Sequence, residues 1–194
     1  YLIMIISNHK QEFKTEWRDL INFDPVQPPS QLRTIARRFE PDRRVFVLVD
    51  GTEPQAVLQV ALTSKIPSTV AELWEPNAEV PKVAIFYSVY KLPQVTYLGT
   101  KVRDLILGAA QELKSEFPDL LNFITFSPIP SLTKKLTAPD SAKIQELLLN
   151  AQDPVARFHM HNGATLYAIW PNADEQDLRQ SESWGWMASY KYEV

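Results

Sequence analysis

Chemistry that depends on histidine or cysteine has few candidates in this 194-residue sequence, because it has three histidines and no cysteine. Without cysteine, thiolate nucleophiles, iron–sulfur clusters and cysteine-ligated zinc are excluded, so any nucleophile is oxygen or nitrogen. Ser127 follows an apolar run and opens the stretch Ser127-Pro128-Ile129-Pro130. This pattern predicts a stiff turn in which the Ser127 hydroxyl either faces a cleft or caps the turn.

The other candidates are two histidines, His159 and His161, which are two residues apart. That is the spacing of side chains on one face of a strand, and such a pair can contribute to a metal site. No third ligand is evident near them, and a metal site needs three or four ligands of fitting geometry, so we predict no metal. We expect His159 to be buried and hydrogen bonded ahead of a strand, and His161, beside the Asn162-Gly163 turn, to be exposed.

The elements that must position these residues follow from hydrophobic patterning. Two β-branched apolar runs joined by a turn at Asp50-Gly51 predict an antiparallel hairpin. The whole order predicts an α/β (α+β) fold, a mixed sheet with helices on its faces. We expect strands at 45–49, 56–62, 82–90, 122–126 and 164–170, helices at 31–39, 69–74, 102–117, 132–136 and 141–150, and a closing aromatic stretch at 184–192.

The longest predicted helix, 102–117, has one apolar stripe at helical spacing, and Thr100 is its expected N-cap, with Gly99 just outside. Backbone N–H groups and the positive end of the helix dipole attract phosphate at such a point. Lys101 and Arg103 lie in the first turn, where cations are normally unfavourable, which favours a bound anion. The alternative is that both cations line a solvated helix face.

Composition excludes several classes of protein. The five glycines are too far apart to form a dinucleotide fingerprint or a Walker A loop. The net charge of −3 is spread along the chain, which disfavours nucleic acid as a partner. The apolar opening at residues 2–6 is far too short to span a bilayer, so we expect no membrane segment. It is typical of the end of an element that starts earlier, and the chain lacks an initiator Met, so we expect a fragment or an excised domain.

Three ordered stretches resemble the catalytic domain of malonyl-CoA decarboxylases. The first combines Ala84-Ile85-Phe86-Tyr87-Ser88 with the residues from Gln94 to Thr100. The second is Leu121–Leu136, which contains Ser127-Pro128-Ile129-Pro130. The third runs from Val155 to Ala164 and is followed by Met187-Ala188-Ser189-Tyr190-Lys191-Tyr192. The resemblance covers the chain from about Leu32 to the C-terminus.

This resemblance implies a GNAT-like fold with a largely antiparallel sheet, and decarboxylation of malonyl-CoA to acetyl-CoA. The family's catalytic serine and histidine fall on Ser127 and His159, with His159 as proton donor and Ser127 as its partner and proton acceptor. Asn162 and Tyr190 are expected to support the site. No metal or organic cofactor is implied, because the coenzyme A thioester is itself the substrate. The expected CoA-binding residues are Gln94, Val95, Thr96, Tyr97, Leu98, Gly99, Thr100 and Lys101.

The sequence departs from the family at three places. Tyr97 stands where family members commonly carry Glu, the 31 residues between Ser127 and His159 form a shorter stretch than in most relatives, and the family's N-terminal helical domain is missing. We therefore divide the chain into a lead-in segment, 1–31, and a catalytic domain, 32–194. A homo-oligomer is left open, and the absence of cysteine together with the resemblance favours the cytoplasm, or the mitochondrial matrix in a eukaryote.

Two alternatives remain. The first is a non-catalytic acyl-CoA-binding module of GNAT-like fold, in which the shortened segment and altered loop abolish turnover. The second is a GNAT acyltransferase, which is disfavoured because the usual Arg/Gln-x-x-Gly-x-Gly/Ala loop is absent around Gln94–Thr100.

Overall fold

The computed structural model describes residues 3–194, so Leu2 of the apolar opening lies outside the described residues. These residues form two compact units. The first contains residues 3–65, 76–123 and 194, and the second contains residues 66–75 and 124–193.

The first unit is built on an antiparallel sheet in the order β1-β2-β3-β4. The predicted hairpin is confirmed as β2 and β3, and β4 is buried along most of its length, as its unbroken apolar run predicts. In the register with β3, the partners of β4 pass from Ser88 to Phe86, so Tyr87 forms a bulge. The strands are β1 (Ile3–Ser7), β2 (Arg43–Asp50), β3 (Glu53–Thr63) and β4 (Val83–Lys91).

The predicted long helix is present in the first unit at Lys101–Glu116, here named α2, and its apolar stripe packs against β1, β2 and β3. The buried stripe consists of Val102, Leu105, Ile106, Ala109, Ala110 and Leu113. Thr100 occupies the N-cap position as predicted, but its side chain makes no capping hydrogen bond.

The segment that we divided off as residues 1–31 contributes structure to the first unit. A 3-10 helix at Thr15–Phe23, which the sequence did not predict, places Trp17 in a core cluster with Ile6, Val47 and Val49. The helix predicted at 31–39 is wrong in length, because only Ala36–Phe39 is helical, as one 3-10 turn. The division at residue 31 stays a prediction.

The second unit contains five short helices and three strands. Strand β8 pairs antiparallel with β6 and with β7. Helix α5 contacts both β7 and β8. The elements are α1 (Val70–Trp74), β6 (Ser127–Pro128), α3 (Leu132–Lys135), α4 (Ser141–Leu149), α5 (Pro154–His161), β7 (Thr165–Trp170), α6 (Asp177–Ser183) and β8 (Met187–Tyr192). Strand β5 (Asn122–Thr125) begins in the first unit and ends in the second.

Two local predictions for the second unit need correction. The sequence predicted no element at 154–161, but α5 occupies it, and α6 was also missed. The interpretation of His159 and His161 as neighbours on one face of a strand is wrong. On an α-helix, residues that are two positions apart in sequence are rotated by about 200°, so the side chains of His159 and His161 point to opposite sides of α5.

Candidate active site

Ser127 and His159 come together inside the second unit. Ser127 begins β6, which pairs with β8 opposite Ala188, and His159 lies in the last turn of α5. Both residues are buried, with exposures of 4% and 5%. Ser127 Oγ is 3.3 Å from His159 Nε2. The sequence predicted this convergence from the family positions, although 31 residues separate the two along the chain.

Asp153 fixes the start of the helix that carries His159. It is the N-cap of α5, Pro154 follows in the first turn, and the Asp153 carboxylate accepts hydrogen bonds from the N–H groups of Val155 and Ala156. The same carboxylate accepts from the Ser131 N–H at 3.1 Å and the Ser131 hydroxyl at 2.6 Å. Ser131 directly follows the Ser127-Pro128-Ile129-Pro130 stretch. The fully buried Asp153 therefore connects the chain after Ser127 to the helix that carries His159.

Hydrogen bonds extend from the Ser127–His159 pair in both directions. Ser127 Oγ is 2.8 Å from Thr125 Oγ1, which also accepts the Tyr190 N–H at 3.0 Å. On the other side, His159 Nδ1 is 2.8 Å from Tyr192 Oη. Sequence reasoning missed Thr125 and Tyr192. Thr125 lies two residues before Ser127, and Tyr192 lies two residues after Tyr190. This is the spacing of side chains on one face of a strand.

Burial controls the charge of His159. Desolvation lowers the pKa of His159 to about 3, so the imidazole is neutral at pH 7. The Tyr190 ring stacks on it with centroids 5.1 Å apart and planes at 23°. Burial and the nearby Asp153 carboxylate raise the pKa of Tyr190, so its hydroxyl stays protonated. In residues 3–194 this buried hydroxyl has no hydrogen-bond partner, which leaves a donor beside His159.

The depressed pKa of His159 predicts a pH dependence of stability. An unfolded histidine has a pKa of 6.5, so between this value and about 3 the unfolded chain binds the extra proton. Stability from neutral burial is present above pH 6.5 and is lost as the pH falls. We expect this group to account for a loss of about 2 kcal/mol in the free energy of unfolding from pH 7 to pH 5.

Urea denaturation at the two pH values measures this loss. The variant His159→Gln should lose about 2 kcal/mol less than the wild-type protein over the same interval. His161→Gln is the matched control and should keep the wild-type dependence, since His161 is exposed. Equal losses in the wild-type protein and His159→Gln would contradict a neutral, buried His159.

The other residues predicted for the site have separate positions. Asn162 is the C-cap of α5, and its side-chain amide donates to the Phe158 carbonyl at 2.8 Å, so it ends the helix of His159. His161 is exposed. No group of three or more His, Cys, Asp or Glu side chains with metal-binding geometry occurs within residues 3–194. None of the helices there is long and apolar enough to cross a membrane.

The predicted CoA-binding residues 94–101 lie in the first unit, where residues 94–100 form the loop before α2 and Lys101 is the first residue of that helix. Gly99 has a φ of +59°, a conformation that favours glycine, and a Cβ there would meet the Tyr97 ring at 3.2 Å. Tyr97 is 83% exposed. Lys101 Nζ lies 3.7 Å from Asp50 Oδ2 while a third of its side chain stays exposed. The Gln94 amide donates to the Pro54 carbonyl, and Val95 and Leu98 are buried.

Comparisons with known proteins identify the family that the chain resembles. A sequence model of the malonyl-CoA decarboxylase C-terminal domain matches residues 16–152 and 143–194. The mitochondrial malonyl-CoA decarboxylase of Anser anser anser is 26% identical over 243 aligned residues, covering 87% of this chain and 48% of that protein. The chain thus spans about half the length of the curated relatives it matches. The predicted resemblance is confirmed, and the match begins ahead of residue 32.

Solved structures show the same fold. Malonyl-CoA decarboxylase from Agrobacterium vitis matches with a TM-score of 0.77 at 23% identity, covering 99% of this chain and 60% of that chain. The loading GNATL domain of CurA from Lyngbya majuscula matches with a TM-score of 0.65 at 18% identity, covering 98% of both chains. The predicted GNAT-like fold, a largely antiparallel sheet flanked by helices, is confirmed.

Proposed function

Since the chain belongs to the family of malonyl-CoA decarboxylase C-terminal domains, we propose that it converts malonyl-CoA to acetyl-CoA and CO2. The observation that carries this proposal is the buried hydrogen bond of 3.3 Å between Ser127 Oγ and His159 Nε2. In the proposed reaction His159 is the proton donor, and Ser127 is its hydrogen-bonding partner and proton acceptor.

The chemistry explains why these residue types suit the reaction. When CO2 leaves the malonyl group, the electron pair of the broken C–C bond forms an enolate whose charge lies largely on the thioester oxygen. Hydrogen-bond donors fixed around that oxygen lower the barrier, and they act most strongly where water is excluded. A neutral imidazole with a proton on one nitrogen can serve as such a donor. The thioester carbonyl is the electron sink, so the step needs no metal or organic cofactor.

The Tyr190 hydroxyl is the second donor that this chemistry can use. The hydroxyl is buried and protonated, and the ring that carries it stacks on the His159 ring. The hydroxyl has no hydrogen-bond partner in the part of the chain that the structure describes. A donor of this kind is costly in a core unless a ligand accepts from it. Its position supports the prediction that Tyr190 contributes to the site, as a donor to the substrate.

The CoA moiety is assigned in this proposal to residues 94–101 and the start of α2. Support comes from the helix N-terminus at Lys101, the left-handed Gly99 and the partly exposed cation Lys101. Backbone N–H groups at a helix start bind phosphate, and the helix dipole adds to the attraction. Tyr97, where family members commonly carry Glu, is proposed to lie near the acyl end and to affect turnover more than affinity.

Charge reversal at Lys101 tests the phosphate assignment. Lys101→Glu is expected to weaken CoA binding about 10-fold, because it replaces a cation by an anion beside the phosphates. Isothermal titration calorimetry measures the affinity, and the wild-type affinity should fall as salt screens the charges. Lys143→Glu, the same change on the exposed face of α4, is the control. Equal affinity of the wild-type protein and Lys101→Glu, with no salt dependence, would place the phosphates elsewhere.

The activity itself is tested with the whole chain and malonyl-CoA, by measuring acetyl-CoA by chromatography and CO2 release together. Equal amounts of the two products are expected. Tight binding of malonyl-CoA without products would overturn the proposal in favour of the non-catalytic acyl-CoA-binding module. Transfer of the acyl group to an amine, with CO2 retained, would favour the GNAT acyltransferase.

Two further assignments belong to this proposal. The names of the Anser anser anser and Rattus norvegicus relatives describe mitochondrial proteins, which favours the mitochondrial matrix over the cytoplasm if the source is eukaryotic. A homo-oligomer is retained as a proposal that sedimentation can test.

A further inference from the structure

Tyr192 lies in β8 with its hydroxyl against the nitrogen of His159 that does not face Ser127. Tyr192 Oη is 2.8 Å from His159 Nδ1, and Tyr192 is 2% exposed. The two ring planes are 76° apart with centroids at 6.0 Å. The residues therefore meet through the phenol oxygen and the ring nitrogen, and the contact is a hydrogen bond.

One placement of the hydrogens satisfies all three contacts. It starts with the single Ser127 hydroxyl hydrogen donated to Thr125 Oγ1, 2.8 Å away. Ser127 Oγ is then the acceptor in its contact of 3.3 Å with His159, so Nε2 carries the hydrogen. A neutral imidazole has only one N–H, so Nδ1 accepts from the Tyr192 hydroxyl. Donation runs in one direction, from Tyr192 through His159 and Ser127 to Thr125.

This direction matters because His159 is neutral. Burial lowers the pKa of His159 to about 3, so no imidazolium is available at pH 7. A neutral imidazole that gave up its only proton would become an imidazolate anion in a desolvated site, which is costly. A second proton donor in contact with Nδ1 lowers that cost, because the anion formed is then a phenolate, a weaker base than an imidazolate, and Tyr192 is placed to be that donor.

We propose that Tyr192 is the positioning residue that holds His159 with its hydrogen on Nε2 and replaces the proton that His159 gives to the substrate. The inference rests on the proposed decarboxylation. The bond from the α-carbon to the carboxylate breaks, CO2 leaves, and the electron pair stays on the enolate. A C–H bond then forms with the Nε2 proton while the Tyr192 proton moves to Nδ1. The starting state returns when the Nδ1 proton moves back to the Tyr192 oxygen and a proton from solvent water binds Nε2, so each turnover consumes one proton.

The energetics favour this direction of transfer. A phenol has a pKa of about 10 in water, and the carbon of a thioester enolate is a far stronger base than a phenolate. Moving the proton from Tyr192 to carbon through His159 is therefore downhill overall. The imidazole is neutral before and after the step, since it gains a proton at Nδ1 as it loses one at Nε2.

Tyr192→Phe removes the hydroxyl and keeps the ring. We expect it to lower kcat for malonyl-CoA about 100-fold with little change in KM, because proton delivery is affected and substrate contacts are not. Tyr167→Phe, the same change at a partly exposed residue of β7, is the control and should retain wild-type kcat. Nuclear magnetic resonance of ¹⁵N-labelled histidine reports which ring nitrogen bears the hydrogen.

The wild-type protein without substrate should show the His159 hydrogen on Nε2, and Tyr192→Phe should show loss of this preference. Wild-type kcat in Tyr192→Phe, or a wild-type hydrogen on Nδ1, would overturn the proposal. If Tyr192→Phe does not fold, the wild-type spectrum alone decides. Absence of decarboxylation by the wild-type protein would instead overturn the proposed function, and the spectrum would still report the hydrogen position.

Discussion

Ser127→Ala, His159→Gln and the double variant are expected to lower kcat for malonyl-CoA by similar factors, each about 10² to 10⁴. Residues that act as one unit are not additive, because once either side chain is lost the other has nothing left to act on. The hydrogen bond of 3.3 Å between Ser127 Oγ and His159 Nε2 is the physical basis for treating them as a unit.

The comparison needs a histidine that shares the helix but not the site. His161→Gln changes an exposed residue of α5 and should leave kcat within about twofold of the wild-type value. Steady-state kinetics of the four variants, with thermal unfolding to confirm that each is folded, give the result. If the factors for the two single variants multiply in the double variant, Ser127 and His159 act independently and the proposed pair is wrong.

Asp24→Ala is expected to destabilise the first unit by about 3–5 kcal/mol. Asp24 is 3% exposed, and its Oδ2 accepts from Arg38 Nη1 at 2.9 Å and Gln59 Nε2 at 2.8 Å. Its Oδ1 accepts from the Ser88 hydroxyl at 2.7 Å. Removing the carboxylate leaves the fully buried Arg38 guanidinium without its counter-charge, and a buried charge that loses its partner is strongly destabilising.

Urea denaturation measures this change in the free energy of unfolding. Asp19→Ala is the control, because Asp19 is an exposed carboxylate of the same N-terminal segment, and its loss should cost less than about 0.5 kcal/mol. A large loss for Asp24→Ala alone would mean that residues before 32 are part of the folded unit. A loss below about 1 kcal/mol would contradict the buried ion pair.

The start of α5 carries a local signal of a helix, although no helix is among the elements predicted from hydrophobic patterning. Asp153 at the N-cap and Pro154 at the first helical position are typical of a helix start. The helix has only eight residues, too few for a clear apolar stripe, so hydrophobic periodicity does not predict it. A helix that starts at this cap includes both histidines and places His159 and His161 on opposite faces.

The sequence by itself determined the long helix α2 and the β2–β3 hairpin, and the family motifs predicted that Ser127 and His159 come together. These features depend on local periodicity, turn chemistry or residues that match a motif position by position. Tertiary structure alone decided the pairing of Tyr192 with His159 across 33 residues and of Asp24 with Ser88 across 64. The protonation state of His159 also depends on tertiary structure. Its pKa follows from how completely distant segments exclude water from the imidazole ring, and no local sequence pattern encodes that exclusion.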